Sequence, residues 1–250
     1  MRRFANQVAF VTGASRGIGK AVAERFAAEG ARTALISNQW EDLQLTEQQF
    51  MAEGYEVLAI LADVSDAAQV ESAVERVVAQ WGTIDILANN AGIAWEEDFL
   101  ELKDENWRKI LDVNLNGMFY TAQRVSRQMV KQGGGVIVNM ASTNGIVGEA
   151  KYAHYNASKG GIVLLTKTMA LELGRYHIRV NSVCPGYIQT PMSETIDDAA
   201  FVEEYVRTKI PLGKVGKPND IAGVFAFLAS EDAAFITGTE IIVDGGQLAF

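Results

Sequence analysis

Tyr155 and Lys159 have the side chains and the spacing that acid–base chemistry requires. They stand four positions apart at the start of a segment with helical character, and residues four apart share one helix face, so the phenol and the ammonium become neighbours. A phenol has a reference pKa of about 10, and a nearby cation favours its ionised form. The pair therefore predicts a proton donor or acceptor for a carbonyl oxygen. Taken alone, the same pair also fits a solvated helix face.

Two further polar residues are placed by the strand pattern at the same end of the molecule. Ser142 ends the fifth strand-like run, thirteen positions before Tyr155, and Asn114 lies in the helical segment between the fourth and fifth runs. His154 is adjacent to Tyr155, but adjacent helix positions point in different directions, which disfavours a Ser/His/Asp hydrolase site.

A glycine-rich turn follows the first apolar run, residues 8–11, and leads into an alanine-rich helix. Its residues are Thr12, Gly13, Ala14, Ser15, Arg16, Gly17, Ile18 and Gly19. Such a turn lets the backbone approach a pyrophosphate, which the free N–H groups and the positive dipole of the helix then face. The spacing is Gly-x-x-x-Gly-x-Gly and differs from the Gly-x-Gly-x-x-Gly fingerprint. Glycine also serves turns and helix packing, so the flanking strand and helix give the motif its weight.

Two later strand ends extend the predicted nucleotide site. Asp63 and Val64 close the third run, where a carboxylate can accept a hydrogen bond from an adenine amino group. The alternative for Asp63 is a helix N-cap, a role that Ser65 or Asp66 could fill equally well. The fourth run closes on Asn89, Asn90, Ala91 and Gly92, which place a glycine where the backbone would run beside the nucleotide. By itself this segment predicts only a turn.

Short apolar strands alternate with amphipathic helices along the whole chain. The strand-like runs are 8–11, 33–36, 57–62, 84–88, 136–140, 179–184 and 240–243, and the helical patterns include 17–29, 67–81 and 106–132. Strands that are apolar on both faces indicate a parallel sheet covered by helices on each side, and right-handed crossovers make it doubly wound. We expect one α/β domain over residues 1–250 with a seven-stranded sheet. Two smaller domains are the alternative, but no linker divides the chain.

Composition excludes several classes of protein. The chain has 250 residues and a net charge of −9, which disfavours a nucleic-acid surface. No apolar run approaches the roughly 20 residues of a membrane span, and the N-terminus lacks a signal peptide, so a cytoplasmic location is expected. One cysteine, Cys184, and two histidines form neither a disulfide framework nor a zinc pattern.

Taken together, these motifs resemble the short-chain dehydrogenase/reductase family in its common form of about 250 residues, a length that suits a single domain. The resemblance runs from the first strand to the C-terminus. It includes the glycine turn, Asp63, Asn89 to Gly92, Asn114, Ser142, Tyr155 with Lys159, and Pro185, Gly186 and Thr190. It implies a Rossmann fold and an NAD(P)-dependent oxidoreductase that moves a hydride between a nicotinamide and a carbonyl or secondary alcohol. No catalytic metal is implied.

The resemblance also implies roles for individual residues. Tyr155 would be the general acid/base, and Ser142 would hydrogen-bond the substrate oxygen. Lys159 would bind the nicotinamide ribose and lower the pKa of Tyr155, while Asn114 would hold a water that relays protons from Lys159 to solvent. Thr190 would help to orient the nicotinamide. The remaining implied cofactor contacts are Gly13, Ser15, Arg16, Gly17, Ile18, Gly19, Ser37, Asn38, Asp63, Val64, Asn90, Ala91, Gly92, Pro185, Gly186 and Ile188.

The end of the second strand decides between the two nicotinamide cofactors. An acidic residue there binds the ribose 2′-hydroxyl of NAD and repels a 2′-phosphate. The corresponding positions are Ser37 and Asn38, which carry no charge, and Arg16 can pair with a phosphate. We therefore expect NADP(H) to be favoured, with NAD(H) possible because Glu41 or Asp42 could approach the ribose.

The substrate side of the site is less specified. The segments after strands four, five and six should line it, and about half of the following residues should touch a small-molecule substrate: Trp95, Asn144, Glu149, Tyr152, Cys184, Tyr187 and Met192. A ketone, polyol, sugar or hydroxy acid would all fit. Residues 190–210 predict a helical lid, with a fixed surface helix as the alternative. The family resemblance implies a homotetramer.

Two functional alternatives compete with a dehydrogenase. A catalytically silent nucleotide-sensing regulator or scaffold could keep the fold, but it need not retain Ser142, Tyr155, Lys159 and Asn114 together, as this chain does. A dehydratase or epimerase of the same family would more often have a longer chain with a substrate domain.

Overall fold

A seven-stranded, entirely parallel sheet forms the centre of the computed structural model, which describes residues 2–249. The strands are β1 (Val8–Thr12), β2 (Arg32–Ser37), β3 (Val57–Leu61), β4 (Ile86–Asn89), β5 (Gly135–Met140), β6 (Ile178–Pro185) and β7 (Glu240–Val243). Their spatial order is β3-β2-β1-β4-β5-β6-β7. The doubly wound sheet and all seven strands expected from the sequence are confirmed.

Nine α-helices connect the strands within the described residues. They are α1 (Gly17–Ala28), α2 (Trp40–Ala52), α3 (Ala67–Trp81), α4 (Asp104–Leu111), α5 (Gly117–Gln132), α6 (Ala153–Leu173), α7 (Pro191–Ile196), α8 (Ala199–Lys209) and α9 (Pro218–Ala229). None of the helices in residues 2–249 is long and apolar enough to cross a bilayer.

The sheet buries apolar side chains on both faces, because successive side chains of a strand point to opposite sides. In β1, Ala9 and Val11 pack with Phe26 of α1 and Phe225 of α9. Val8 and Phe10 of the same strand pack on the other face, in a cluster that includes Val74, Val77, Val125 and Met129 of α3 and α5. This explains why the strands are apolar throughout rather than alternating.

The helix expected over 106–132 differs from a regular helix in one place. A π-helical turn, Asp112–Asn116, separates α4 from α5 and has the fully buried Asn114 at its centre. A single π turn inserts an extra residue into the helix and is often found at functional sites. The chain therefore turns Asn114 inward at the point where the helix passes the end of β4.

Candidate active site

A cleft of about 490 Å³ opens at the carboxyl ends of the strands. It spans the point where the strand order reverses between β1 and β4, the usual ligand position in doubly wound sheets. All of the residues expected to contact a cofactor line it: Gly13, Ser15, Arg16, Gly17, Ile18, Gly19, Ser37, Asn38, Asp63, Val64, Asn90, Ala91, Gly92, Tyr155, Lys159, Pro185, Gly186, Ile188 and Thr190.

The glycine turn brings bare backbone to the floor of the cleft. Gly13 and Gly17 have φ angles of 66° and 56°, a left-handed conformation that favours glycine. A Cβ atom on Gly19 would lie only 2.1 Å from the carbonyl oxygen of Gly13. Arg16, the N-cap of α1, makes no side-chain capping hydrogen bond, and the first turn of α1 contains no acidic residue. The cradle and the free helix N-terminus together fit the pyrophosphate of a dinucleotide.

Thr12 joins this turn to the end of β4. Its hydroxyl oxygen accepts hydrogen bonds from the backbone N–H groups of Asn90 and Ala91 at 2.9 and 3.0 Å. The side-chain amide of Asn90 returns a hydrogen bond to the Thr12 carbonyl oxygen at 3.0 Å. The two strand ends that flank the expected cofactor are thereby held in fixed register.

Polar side chains at the ends of β2 and β3 form hydrogen bonds along the side of the cleft where we expect the adenosine. Ser37 donates from its hydroxyl to that of Ser15 at 3.0 Å, and the Asn38 amide donates to Asp63 Oδ2 at 3.2 Å. Burial alone would raise the pKa of Asp63, but hydrogen bonds from Ser65 and Asn38 outweigh it and hold the pKa below its usual value. The N-cap of α3 is Asp66, not Asp63, because Asp66 accepts from the N–H groups of the first turn.

Lys159 is buried beneath Tyr155 on α6. Its Nζ atom donates to the carbonyl oxygen of Met140 at 2.8 Å and lies 5.4 Å from the centroid of the Tyr155 ring. Burial lowers the pKa of Lys159 to about 8. Burial also raises the pKa of Tyr155 to about 12, against the opposing effect of the Ser142 hydroxyl.

That Lys159 lowers the pKa of Tyr155 stays a prediction. The ammonium points at the Met140 carbonyl rather than at the phenol oxygen, and removal of the phenolate from water is the larger effect. Tyr155 is therefore a protonated phenol at neutral pH, the form that can donate a proton to a substrate oxygen.

Ser142 and Asn114 support the pair from two sides. Ser142 is the N-cap of a short 3₁₀ turn, and its hydroxyl oxygen accepts from the Asn144 N–H at 3.2 Å. Asn114 does not line the cleft. Its Oδ1 accepts from the Ile93 N–H at 2.8 Å, and its amide donates to the Ile93 carbonyl at 2.9 Å and to the Ser158 hydroxyl at 3.2 Å. Asn114 thus fixes the loop after β4 to α6.

Five of the seven residues expected on the substrate side line the cleft, namely Asn144, Glu149, Tyr152, Tyr187 and Met192. The other two do not. Trp95 packs edge-on against His154, with ring centroids 5.3 Å apart, and Cys184 is fully buried within β6. Trp95 is a half-buried loop residue, whereas Cys184 lies within the sheet near the end of its strand.

Six further residues line the same end of the cleft: Glu96, Ser193, Asp197, Phe201, Tyr205 and Gln247. Four of them fall within residues 190–210, the stretch predicted as a lid, but none was singled out as a substrate contact. Phe201 and Tyr205 lie four positions apart on α8, the spacing of one helix face, which is a signal that the sequence offered. Nothing in the sequence indicated Gln247, which reaches the cleft from beyond β7.

Thr190 has a structural role in addition to its place in the cleft. Its hydroxyl accepts from the Ser193 N–H at 3.2 Å, and the Ser193 hydroxyl accepts from the Thr190 N–H at 3.0 Å. This reciprocal capping box begins α7. Helices α7 and α8 occupy the region where the sequence predicted a lid.

Known proteins resemble this chain over almost its entire length. A family model described as enoyl-(acyl carrier protein) reductase matches residues 13–247. The 3-oxoacyl-(acyl-carrier-protein) reductase FabG of Thermotoga maritima is 42% identical over 246 residues, which cover 98% of each chain.

Solved structures agree with these sequence matches. Levodione reductase superposes with a TM-score of 0.95 at 38% identity, covering 99% of both chains. A gluconate 5-dehydrogenase from Burkholderia cenocepacia, in complex with NADP and tartrate, has a TM-score of 0.94 at 34% identity and covers 100% of this chain and 98% of its own. The chain therefore belongs to the short-chain dehydrogenase/reductase family of nicotinamide-dependent oxidoreductases.

Proposed function

We propose that this protein interconverts a ketone and a secondary alcohol, with NADP(H) as the favoured cofactor and NAD(H) as a usable one. The observation that supports the reaction most directly is the position of Tyr155, a half-buried phenol that lines the same cleft as Ser142 and the glycine cradle. The relatives named above include reductases and a dehydrogenase, which agrees with a reaction of this class.

The proposed roles follow from the position of each side chain. A nicotinamide cofactor held by the glycine cradle and Lys159 would supply the hydride to the carbonyl carbon. Tyr155 donates its phenol proton to the carbonyl oxygen, and Ser142 hydrogen-bonds the same oxygen, so that hydride and proton together give the alcohol. Lys159 binds the nicotinamide ribose. Asn114 is a positioning residue, since it holds Ile93 against α6.

Preference for NADP(H) rests on charge at the rim of the cleft. Arg16 is exposed there and forms no ion pair with any described residue, so it is available to a phosphate. Ser37 and Asn38 end β2 without a negative charge. Glu41 and Asp42 lie in the first turn of α2, and neither lines the cleft. One solved relative is in complex with NADP.

Three further expectations remain proposals. We propose that α7 and α8 form a lid over the substrate and that the chain assembles as a homotetramer, for which Leu171 and Phe235 offer apolar side chains 86% and 104% exposed. Light scattering after size-exclusion chromatography would measure the assembly. The cytoplasmic location stays a prediction from the sequence.

The reaction is tested by following nicotinamide absorbance with a panel of ketones and secondary alcohols and with both cofactors. Wild-type protein should turn over at least one of them, and Tyr155→Phe should bind cofactor but lose nearly all turnover. Tyr176→Phe, in the short 3₁₀ turn that follows α6, is the matched control and should keep wild-type activity. Cofactor binding without turnover of any compound would instead indicate the silent regulatory alternative.

A further inference from the structure

The far end of the cleft, beyond Tyr155, presents an unusual number of free hydrogen-bond acceptors. We call this region the substrate end and define it by Glu96, Glu149, Tyr152, Asp197, Tyr205 and Gln247. Each of its three carboxylates has one oxygen already occupied. Glu149 Oε2 accepts from the Asn144 amide at 2.8 Å, Asp197 Oδ2 accepts from the Tyr187 hydroxyl at 2.9 Å, and Glu96 Oε2 accepts from Lys151 Nζ at 3.1 Å.

The second oxygen of each carboxylate receives no hydrogen bond from any residue between 2 and 249. The three carboxylates line the same cleft as Tyr152, and each of them raises the pKa of Tyr152 in addition to the larger effect of burial. Burial is also the main cause that raises the pKa of Asp197, and Glu96 contributes to it. The substrate end is therefore acceptor-rich and negative.

Lys109 is the one cation lining the cleft that lies outside the expected cofactor contacts, and it has no carboxylate partner among the described residues, so one positive charge stands against three carboxylates here. Arg16 lies at the glycine turn, and Lys159 is bonded to Met140. Lys109 lies 5.8 Å from the centroid of the Trp95 ring, and Lys151 is paired with Glu96. A carboxylate or phosphate bound here would face three carboxylates and one lysine, an excess of like charge that disfavours an anion.

Free donors lie beside the free acceptors. The Gln247 amide donates to the Tyr205 hydroxyl oxygen at 2.9 Å, so the Tyr205 proton remains available, and Gln247 Oε1 is buried without a partner. Burial raises the pKa of Tyr205 to about 12, which keeps the proton in place at neutral pH. Tyr152 is likewise a protonated phenol. An ammonium group can use only the acceptors, whereas a hydroxyl group both donates and accepts.

Aromatic rings cover one side of the same volume. Tyr205 lies with its ring centroid 5.4 Å from that of Tyr187 and 5.7 Å from that of Phe201. Together these rings form an apolar surface against which C–H groups can pack, while the carboxylates and hydroxyls face the polar groups of the same ligand.

We infer that the substrate is neutral and rich in hydroxyl groups, a polyol or a sugar, and that Glu149 and Asp197 select it over anionic analogues. The inference rests on the proposed function and narrows it to one substrate class. The free oxygens of Glu149 and Asp197 accept hydrogen bonds from substrate hydroxyls, and Tyr152 and Tyr205 donate to them.

The first test compares compounds that share one carbon skeleton and differ in charge. Alditols and aldoses, the corresponding aldonates and the corresponding amino sugars are assayed with the nicotinamide cofactor, and kcat/KM is measured for each. The neutral compounds should exceed the aldonates by about tenfold or more, the size of one lost hydrogen bond to a charged group. An aldonate or an amino sugar with equal or higher kcat/KM would overturn the inference while leaving the proposed oxidoreductase function in place.

The second test uses variants of the carboxylates. Glu149→Gln and Asp197→Asn should raise KM for the neutral substrate about tenfold, with a smaller change in kcat, and should narrow the discrimination against aldonates. Glu194→Gln is the matched control, since Glu194 lies on α7, bonds to Gln189 and does not line the cleft. Equal KM values in all three variants would contradict the assignment.

A binding measurement separates this inference from the reaction itself. Calorimetry with the Tyr155→Phe protein loaded with cofactor reports affinity without turnover. Tighter binding of a polyol than of its aldonate supports the inference, whether or not the wild-type protein turns over any compound in the panel. A lack of turnover would count against the proposed function alone. Tighter binding of the aldonate overturns the inference.

Discussion

Lys159 donates a hydrogen bond to the carbonyl oxygen of Met140, the last residue of β5, at 2.8 Å. This contact fixes α6 to the sheet at the catalytic end and takes the ammonium out of water. Burial disfavours the charged form of Lys159 and lowers its pKa from 10.5 to about 8. The same burial makes the group a reporter of folding that can be measured without any substrate.

The first prediction is a pH-dependent contribution of Lys159 to stability. Between about pH 8 and 10.5 the unfolded chain holds a proton on this lysine that the folded chain has lost. The free energy of unfolding must then rise with pH across that window, by about 3 kcal/mol in full. Denaturant unfolding of the cofactor-free protein from pH 7.5 to 10 should show this rise in the wild type and not in Lys159→Met.

The control for this experiment is Lys131→Met, at an exposed position on α5, which should keep the wild-type slope. Tyr155 lowers the free energy of unfolding with rising pH, but only above pH 10. Its pKa is raised from 10.0 to about 12 on folding, so in that range the unfolded chain loses a proton that the folded chain keeps. Identical slopes for wild type and Lys159→Met would contradict the burial of a titrating lysine.

A second prediction concerns the side chain of Asn114. Asn114→Ala removes the paired hydrogen bonds to Ile93 and leaves buried backbone groups unsatisfied, so it should destabilise the fold by about 1–3 kcal/mol. Gly92 lies between the two side chains, because a Cβ atom built on it would be 3.3 Å from Asn114 Oδ1 and 3.8 Å from Lys159 Nζ. The loss of the Asn114 side chain should therefore also disturb Lys159. We expect kcat to fall more than KM rises, as steady-state kinetics would show.

Asn116→Ala is the comparison variant, because Asn116 belongs to the same π turn and bonds only to Asp112 near the surface. It should leave both unfolding and kcat close to wild type. If Asn114→Ala changed KM alone, Asn114 would act at the substrate and not through Ile93 and α6.

The third prediction tests the glycine cradle. Gly19→Ala would place a methyl group 2.1 Å from the Gly13 carbonyl oxygen, a distance that rigid backbone cannot accept. The turn must shift, and binding of both nicotinamide cofactors should weaken by about tenfold or more, as fluorescence titration would measure. Gly223→Ala, in α9 with open space around the added methyl, should bind cofactor normally and gain a few tenths of a kcal/mol or more in stability. Unchanged affinity in Gly19→Ala would remove the cradle from the cofactor site.

The parts of the site that the sequence predicted are those encoded by local spacing. Tyr155 and Lys159 are neighbours because four positions make one helical turn, and the glycine turn is positioned by the strand before it and the helix after it. The seven strands were evident because each is buried on both faces. The doubly wound arrangement followed from the handedness of the crossovers, whereas the spatial order of the strands was not predicted.

The parts that were missed depend on distant segments meeting in space. The hydrogen bond from Lys159 to the backbone carbonyl of Met140 in β5 is marked by no sequence pattern. The π turn around Asn114 adds one residue to a helix without any change in hydrophobic pattern. Gln247 reaches Tyr205 from 42 positions away along the chain, so only the folded structure brings them together.

The last prediction concerns the choice between NADP(H) and NAD(H). Arg16 is an exposed cation that lines the cleft, and it follows Ser15, whose hydroxyl accepts a hydrogen bond from Ser37 at the end of β2. Arg16→Ala should weaken NADPH binding by about tenfold or more, the loss of a charge-assisted hydrogen bond, and leave NADH binding nearly unchanged. Ser37→Asp should act in the same sense, because a carboxylate at this position repels the phosphate and can accept from the 2′-hydroxyl of NADH. Dissociation constants of both reduced cofactors, measured by fluorescence for the wild type and the two variants, test this prediction.

Arg32→Ala is the matched control, because Arg32 lies at the opposite end of β2, where its guanidinium donates to the Asn6 carbonyl oxygen. This variant should bind both cofactors as the wild type does. Tighter binding of NADH than of NADPH to the wild-type protein would contradict the expected preference. The acidic residues in the first turn of α2, Glu41 and Asp42, would then be the candidates to bind the ribose.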